Sequence, residues 1–367
     1  MRIALALCLV LLCGCARHVL RSPLGGPPIS FPADRAQHPW AQTEWWHLHA
    51  SLVDAQSGEP VELFAGFIVQ RTDEDRAAGV PARLFVNPLH VAYVRIQGER
   101  TLVADRVGFP DLFSARFVGD GLDLRHGDWR LAWDQGAWLL AVGAGRDRMD
   151  LRLEPTAPAV LPGQGGLVEL EPGAGHHHWA QHEALRVQGR WSQGGQTRWV
   201  EGTGFCKHQW GFIYTERYDG FEWFTVDLPA AGALPERSLS ILWMLDGAQR
   251  GAPGSLAWIS DRQGKIHPLP VEDLHVTPTR RWHSLRSRAW WPVAWRIEGA
   301  GLDLLIEVKD EAQELWVFPV PIHLGPARAV GTVEGQAVDL PAFAEQAGER
   351  IPPFRWLVRS GPGPGME

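Results

Sequence analysis

Cysteine and tyrosine are scarce in this chain of 367 residues, where four Cys and three Tyr stand against 19 Trp. Cys8, Cys13 and Cys15 crowd the first fifteen positions and leave Cys206 alone downstream. A lone cysteine builds no disulfide framework, so the fold has to be held by core burial. Basic charge is also short: 35 Lys and Arg face 42 acidic residues, for a formal net charge of -7. With no basic stripe, nucleic acid is not an expected partner. Beyond the N-terminus no apolar run is long enough to span a bilayer. Helical periodicity is missing too, since no stretch longer than about eight residues keeps it with a clear cap, apart from a short candidate helix at 341–347. The Gly-x-Ser-x-Gly elbow, the Walker loop and Gly-x-Gly-x-x-Gly are absent, which disfavours a serine hydrolase, an ATPase or a dehydrogenase. His182-Glu183 fails as a zinc-protease motif because Arg186 stands where the second His is required.

What is present is a β pattern. Short β-branched and aromatic runs at 44–52, 61–70, 83–96, 184–191, 221–228, 237–245 and 301–308 are separated by Gly, Pro and Asp clusters, which reads as an all-β, antiparallel chain. A weak internal echo, Glu44-Trp45-Trp46-His47-Leu48-His49 against Glu222-Trp223-Phe224-Thr225-Val226-Asp227, suggests two related halves. The Gly-rich stretch 161–175 suits the linker between them. The expected units are domains at 40–180 and 181–350 and a tail at 351–367.

The N-terminus reads as an export signal. Met1-Arg2 supplies a positive start, Ile3 to Leu12 an apolar run, and Leu12-Cys13-Gly14-Cys15 closes it; the run is too short to span a bilayer. The closing residues resemble the lipobox of bacterial lipoproteins, with Cys13 in place of the usual small residue. The resemblance implies a signal peptide over 1–14, acylation of Cys15, and a tether over 15–39 rich in Pro and Gly. The expected location is the cell envelope, facing the periplasm or the exterior, with the outer membrane favoured by Ala16 after the lipidated Cys.

Three segments could carry chemistry. Period-two alternation puts Trp45, His47 and His49 on one face and Glu44, Trp46 and Leu48 on the other, and the first face mixes aromatic wall with titratable groups as a ligand cavity inside a barrel would. In Gly202 to Gly211, His208 shares a face with Cys206 and Trp210, so an imidazole beside an indole could act as acid or base. His176, His177, His178 and His182 offer imidazoles to a metal, but three residues in a row on a strand cannot all converge, and neither metal nor cofactor is expected.

Glu44-Trp45-Trp46, Gly202 to Gly211, Glu222-Trp223-Phe224, and Trp295 through Glu314-Leu315 occur in an order that resembles the lipocalin-related AttH-like proteins and carotenoid 1,2-hydratases, over about Trp40 to Ala347. The resemblance implies two tandem lipocalin-like antiparallel β-barrels able to enclose a small apolar ligand. It also implies chemistry on an unactivated alkene, for which the hydratases pair a carboxylic acid with aromatics. His208-x-Trp210 fits their His-x-Trp, while Met244-x-Asp246 is the nearest match to their Tyr-x-Asp and makes Asp246 the candidate acid. Three functions follow: an anchored protein binding a lipid or isoprenoid through Trp45, His47, His49 and Trp223; a cofactor-free hydratase, isomerase or hydrolase using His208, Trp210 and Asp246; or an accessory lipoprotein docking on an envelope transporter.

Overall fold

The computed structural model describes residues 28–71, 89–98, 101–108, 115–118, 122–169, 175–213, 220–230, 235–246, 251, 253–317 and 320–348. The expected signal peptide, Cys15 and the 351–367 tail lie outside the described residues. Strands dominate, as the alternation requires. The first group is β1 (Thr43–Asp54), β2 (Pro60–Gln70), β3 (Leu89–Gln97), β4 (Thr101–Gly108), β5 (Ala115–Val118), β6 (Asp123–His126), β7 (Trp129–Asp134), β8 (Ala137–Ala144), β9 (Asp147–Pro155), β10 (Leu167–Glu169), β11 (Gly175–Gln193) and β12 (Gln196–Ile213). The second is β13 (Gly220–Leu228), β14 (Arg237–Leu245), β15 (Leu256–Asp261), β16 (Ile266–Pro268), β17 (His275–His283), β18 (Trp290–Gly299), β19 (Leu302–Val308), β20 (Glu314–Val317), β21 (Val320–Val333) and β22 (Gln336–Gly348).

Each group forms its own antiparallel sheet, in the orders β4-β3-β2-β1-β12-β11-β9-β8-β7-β6-β5, with β10 beside β11, and β16-β15-β14-β13-β22-β21-β19-β18-β17, with β20 beside β21. Both curl into near-barrels, so the all-β, lipocalin-like double barrel expected from the sequence is the fold. The sheets change over between Ile213 and Gly220 rather than at 180/181, where β11 runs unbroken. The described part of the Gly-rich segment turns at 162–166, before β10, and the long pairing of β11 with β12 keeps both strands in the first sheet.

The internal echo has a counterpart in the topology. β1 lies between β2 and β12, and β13 between β14 and β22. Glu44 and Glu222 are both buried, and Trp46 and Phe224 both enter their barrel cores. The expected helix at 341–347 is instead part of β22. Ala342 and Ala344 face the second core while Phe343 faces outward, a period-two use of side chains that a helix would scramble. Pro341 stands opposite Arg328 of β21, where pairing with β13 has not yet begun.

Each barrel interior holds an apolar core, the first around Trp46, Leu48, Trp129, Trp138 and Trp191, the second around Phe224, Trp243 and Trp295. A third apolar layer, with Phe64, Tyr93, Trp179, Phe205, Trp223, Trp258 and Phe343, fills the seam between them. The expected tether ends earlier than residue 39. Ile29 and His38 are buried, Phe31 stacks on His182 and Arg35 lies 4.3 Å from the Trp133 ring centre, so this stretch caps the first barrel. No helix among the described residues is long and apolar enough to cross a membrane.

Candidate functional site

Register builds the site in the seam. On β12, β1, β2 and β3 the residues Lys207, His47, Gly66 and Tyr93 are directly paired across neighbouring strands, so they form one lateral row on one face of the first sheet. Gly66 is the gap in that row. A Cβ there would sit 2.3 Å from Cζ and 2.6 Å from the hydroxyl oxygen of Tyr93, so only glycine lets the phenol lean across β2 toward His47, with ring centres 5.8 Å apart. Gly66→Ala should therefore cost about 1–3 kcal/mol by overpacking. The cost should shrink in a Tyr93→Ala background, as a double-mutant cycle by chemical denaturation can measure.

The second sheet faces this row with Trp223 on β13 and Glu345 on β22, themselves a directly paired couple. Lys207 and Glu345 form a buried ion pair, the ammonium lies 4.0 Å from the Trp223 ring centre, and His47 Nδ1 lies 3.4 Å from Glu345 Oε1. Burial alone would raise the Glu345 carboxyl, but Lys207 and then His47 hold it down to about 2. Burial lowers His47, against the pull of Glu345, so its imidazole is neutral at neutral pH; burial raises Tyr93 well above the ordinary phenol value, so its hydroxyl stays protonated. The buried polar atoms here without a hydrogen-bond partner include the Tyr93 hydroxyl, Trp223 Nε1 and both ring nitrogens of His47. Phe64, Phe205 and Phe343 complete the wall, with ring centres 5.2 to 5.8 Å from Tyr93 or Trp223. A cleft that shares Phe64 with this wall is lined also by His49, Glu62, Arg95, Gly325 and Pro326, with about 10 Å³ of free space, room for one water. Elsewhere in the seam Glu183, against Ser240, Ser260 and Trp258, is pushed up to about 7 by burial.

A second cluster lies at the mouth of the first barrel. Trp46 and His208 are direct cross-strand partners, and the imidazole sits between two indoles, 4.5 Å from Trp46 and 4.4 Å from Trp210. Trp210 stacks in turn on His38 at 4.1 Å and on His178 at 5.2 Å. Glu44 Oε1 accepts from His208 Nε2 at 2.9 Å and from His38 Nδ1 at 2.8 Å, while Oε2 accepts the His38 backbone N–H at 2.9 Å. Burial would raise Glu44, but its bonds to His208 and His38 win and lower it; burial lowers His208 to about 4. In the second barrel Ala344 opposes Phe224 where His208 opposes Trp46, so only the first barrel carries the imidazole.

The sequence's candidates therefore separate. His208 and Trp210 meet as alternation requires, but the carboxylate bonded to His208 is that of Glu44, while Asp246 follows β14 in the other sheet. Asp246 sat nearest a sequence pattern, whereas Glu44 reaches His208 only through the β1–β12 register. His47, His49 and Trp223 line the seam rather than a barrel interior, because Trp46 and Leu48 occupy the inside; half-buried Trp45 donates its Nε1–H to Gln209 Oε1 at 2.8 Å. His177 turns away from His176 and His178 onto Trp179, so no histidine triplet forms. Lys207, Tyr93, Gly66 and Glu345 were missed: Lys207 is a cation between Cys206 and His208 in a segment already singled out, a visible signal, but nothing local links it to Glu345.

The sequence model of the AttH-like family matches residues 22–338. Among solved structures, an AttH-assigned protein of Nitrosomonas europaea is 19% identical with a TM-score of 0.76, covering 90% of this chain and 99% of its own. Kievitone hydratase of Nectria haematococca is 16% identical with a TM-score of 0.68, covering 89% and 95%. CghA with Sch210972 is 14% identical with a TM-score of 0.54, covering 90% and 95%. No curated protein matches.

Proposed function

The chain belongs to the AttH-like family, and we propose that it takes up a small, largely apolar, unsaturated molecule in the seam between its barrels and moves a proton on it. The reading rests on the unpartnered Tyr93 hydroxyl, His47 Nε2 and Trp223 Nε1, set among aromatic walls. A buried polar group left unpaired costs about 1–3 kcal/mol, a cost that a ligand's own oxygen would relieve.

The roles follow from the protonation states. The protonated Tyr93 hydroxyl donates to an oxygen on the ligand. Neutral His47 takes a proton at Nε2, and Glu345, beside Nδ1, steadies the imidazolium that forms. Lys207 keeps Glu345 ionised. Such a set suits isomerisation of a double bond conjugated with that oxygen, or addition of water to it. A hydratase among the similar folds fits this class by analogy of fold alone. The cleft holds about 10 Å³, far below the several hundred of a ligand pocket, so entry has to part Phe64 from Phe343.

The test starts from small molecules extracted from the protein of its own host and identified by mass spectrometry. With the molecule in hand, Tyr93→Phe should weaken binding about 10-fold, the loss of one hydrogen bond. His47→Ala should stop turnover while binding stays within a few-fold. Wild-type binding and turnover in both variants would sink the assignment.

We propose as well that Cys15 is acylated after export and holds the protein at a membrane. Cys15→Ala should move it from the membrane to the soluble fraction; retention in the membrane would refute the anchor.

A further inference from the structure

His38 comes from the segment before β1, Glu44 from β1 and His208 from β12, and we propose that together they form a site for a divalent transition-metal ion of the zinc type. One ligand atom from each of His38, Glu44 and His208 lies within 4.8 Å of the other two, and all three residues are buried. Two imidazoles and one carboxylate are a ligand set that zinc favours. The two nitrogens stand 2.8 and 2.9 Å from the shared oxygen. An ion about 2.0–2.2 Å from each atom would part them by a few tenths of an ångström.

A second observation points the same way. The far nitrogen of His38, Nε2, lies 3.3 Å from Asp34 Oδ1, the carboxylate–histidine arrangement that orients a metal-bound imidazole. The protons balance without any leaving: His38 moves its N–H from Nδ1 to Nε2, where Asp34 accepts it, and His208 moves its own from Nε2 to Nδ1. Both rings are already fixed, His38 flat on Trp210 with planes 1° apart and His208 between Trp46 and Trp210. The ion would staple the capping segment to the barrel. None of its three ligands belongs to the seam row, so the site stands or falls apart from the proposed function.

The bland account is a carboxylate bonded to two histidines and nothing more. Full-length protein without a histidine tag, stripped with chelator, should take up one equivalent of Co²⁺ with visible absorption bands that Zn²⁺ displaces. Zn²⁺ should raise the melting temperature by at least about 3 °C, as a ligand bound far below its added concentration does. His38→Gln, which lies outside every strand, should weaken Co²⁺ binding at least 100-fold. Asp34→Asn keeps all three ligands and should weaken it about 10-fold. No stoichiometric Co²⁺ uptake, or uptake unchanged in both variants, would overturn the site.

Discussion

Lys207→Met should cost about 3–5 kcal/mol of folding stability, because it leaves Glu345 as an uncompensated charge inside the seam. The pair is almost wholly enclosed, with side-chain exposures of 3% and 2%, so solvent cannot replace the lost partner. Lys207→Met with Glu345→Gln should recover much of the loss, since the buried charge disappears along with its penalty. The deficit should also depend on pH. Glu345, ordinarily near 4.5, is held to about 2 in the folded protein. Its contribution is thus fully present above about 4.5 and lost as pH falls toward 2. In Lys207→Met the carboxyl loses its strongest lowering partner, so protonating it becomes easier and the gap to wild type should narrow as pH drops from 7 toward 3. Denaturant unfolding at several pH values measures this. A deficit under about 1 kcal/mol at neutral pH, the range of an exposed pair, would mean that water reaches the pair.

Trp46→Ala should be comparably severe, about 3–5 kcal/mol, as expected when a fully buried indole is cut to a methyl. Trp46 does two jobs: it packs in the first barrel core and forms one wall of the His208 sandwich. Its Nε1 makes no hydrogen bond, so the loss is of packing rather than of a polar contact. Trp46→Phe should consequently recover more than half of the stability. Denaturant midpoints with unchanged slopes would support this account. A loss below about 1 kcal/mol for Trp46→Ala would show that the barrel collapses into the space without strain.

Much of the fold was legible. Strand positions at 44–52, 61–70, 221–228, 237–245 and 301–308 follow directly from alternation, because a pleated strand turns successive side chains to opposite faces. The Glu44/Glu222 echo correctly marked two equivalent strands. The 341–347 segment misled because small residues and a proline carry no strong period. The 180/181 boundary misled because a Gly-rich turn looks alike whether it ends a domain or a hairpin. Tyr93 carried no signal at all, since its value depends on Gly66 in a neighbouring strand.

By itself the sequence determined the all-β class and which residues share a face: Trp45, His47 and His49 on one side, Trp46 and Leu48 on the other. Only the tertiary structure decided which of those faces points inward, since alternation has the same period on both sides of a sheet. It also decided that Lys207, His47, Gly66 and Tyr93 stand in one row, and that Glu44 meets His38 and His208. Those meetings depend on strand register and on how two curled sheets press together, through contacts between residues as far apart as Lys207 and Glu345, and no local pattern of residues encodes that distance.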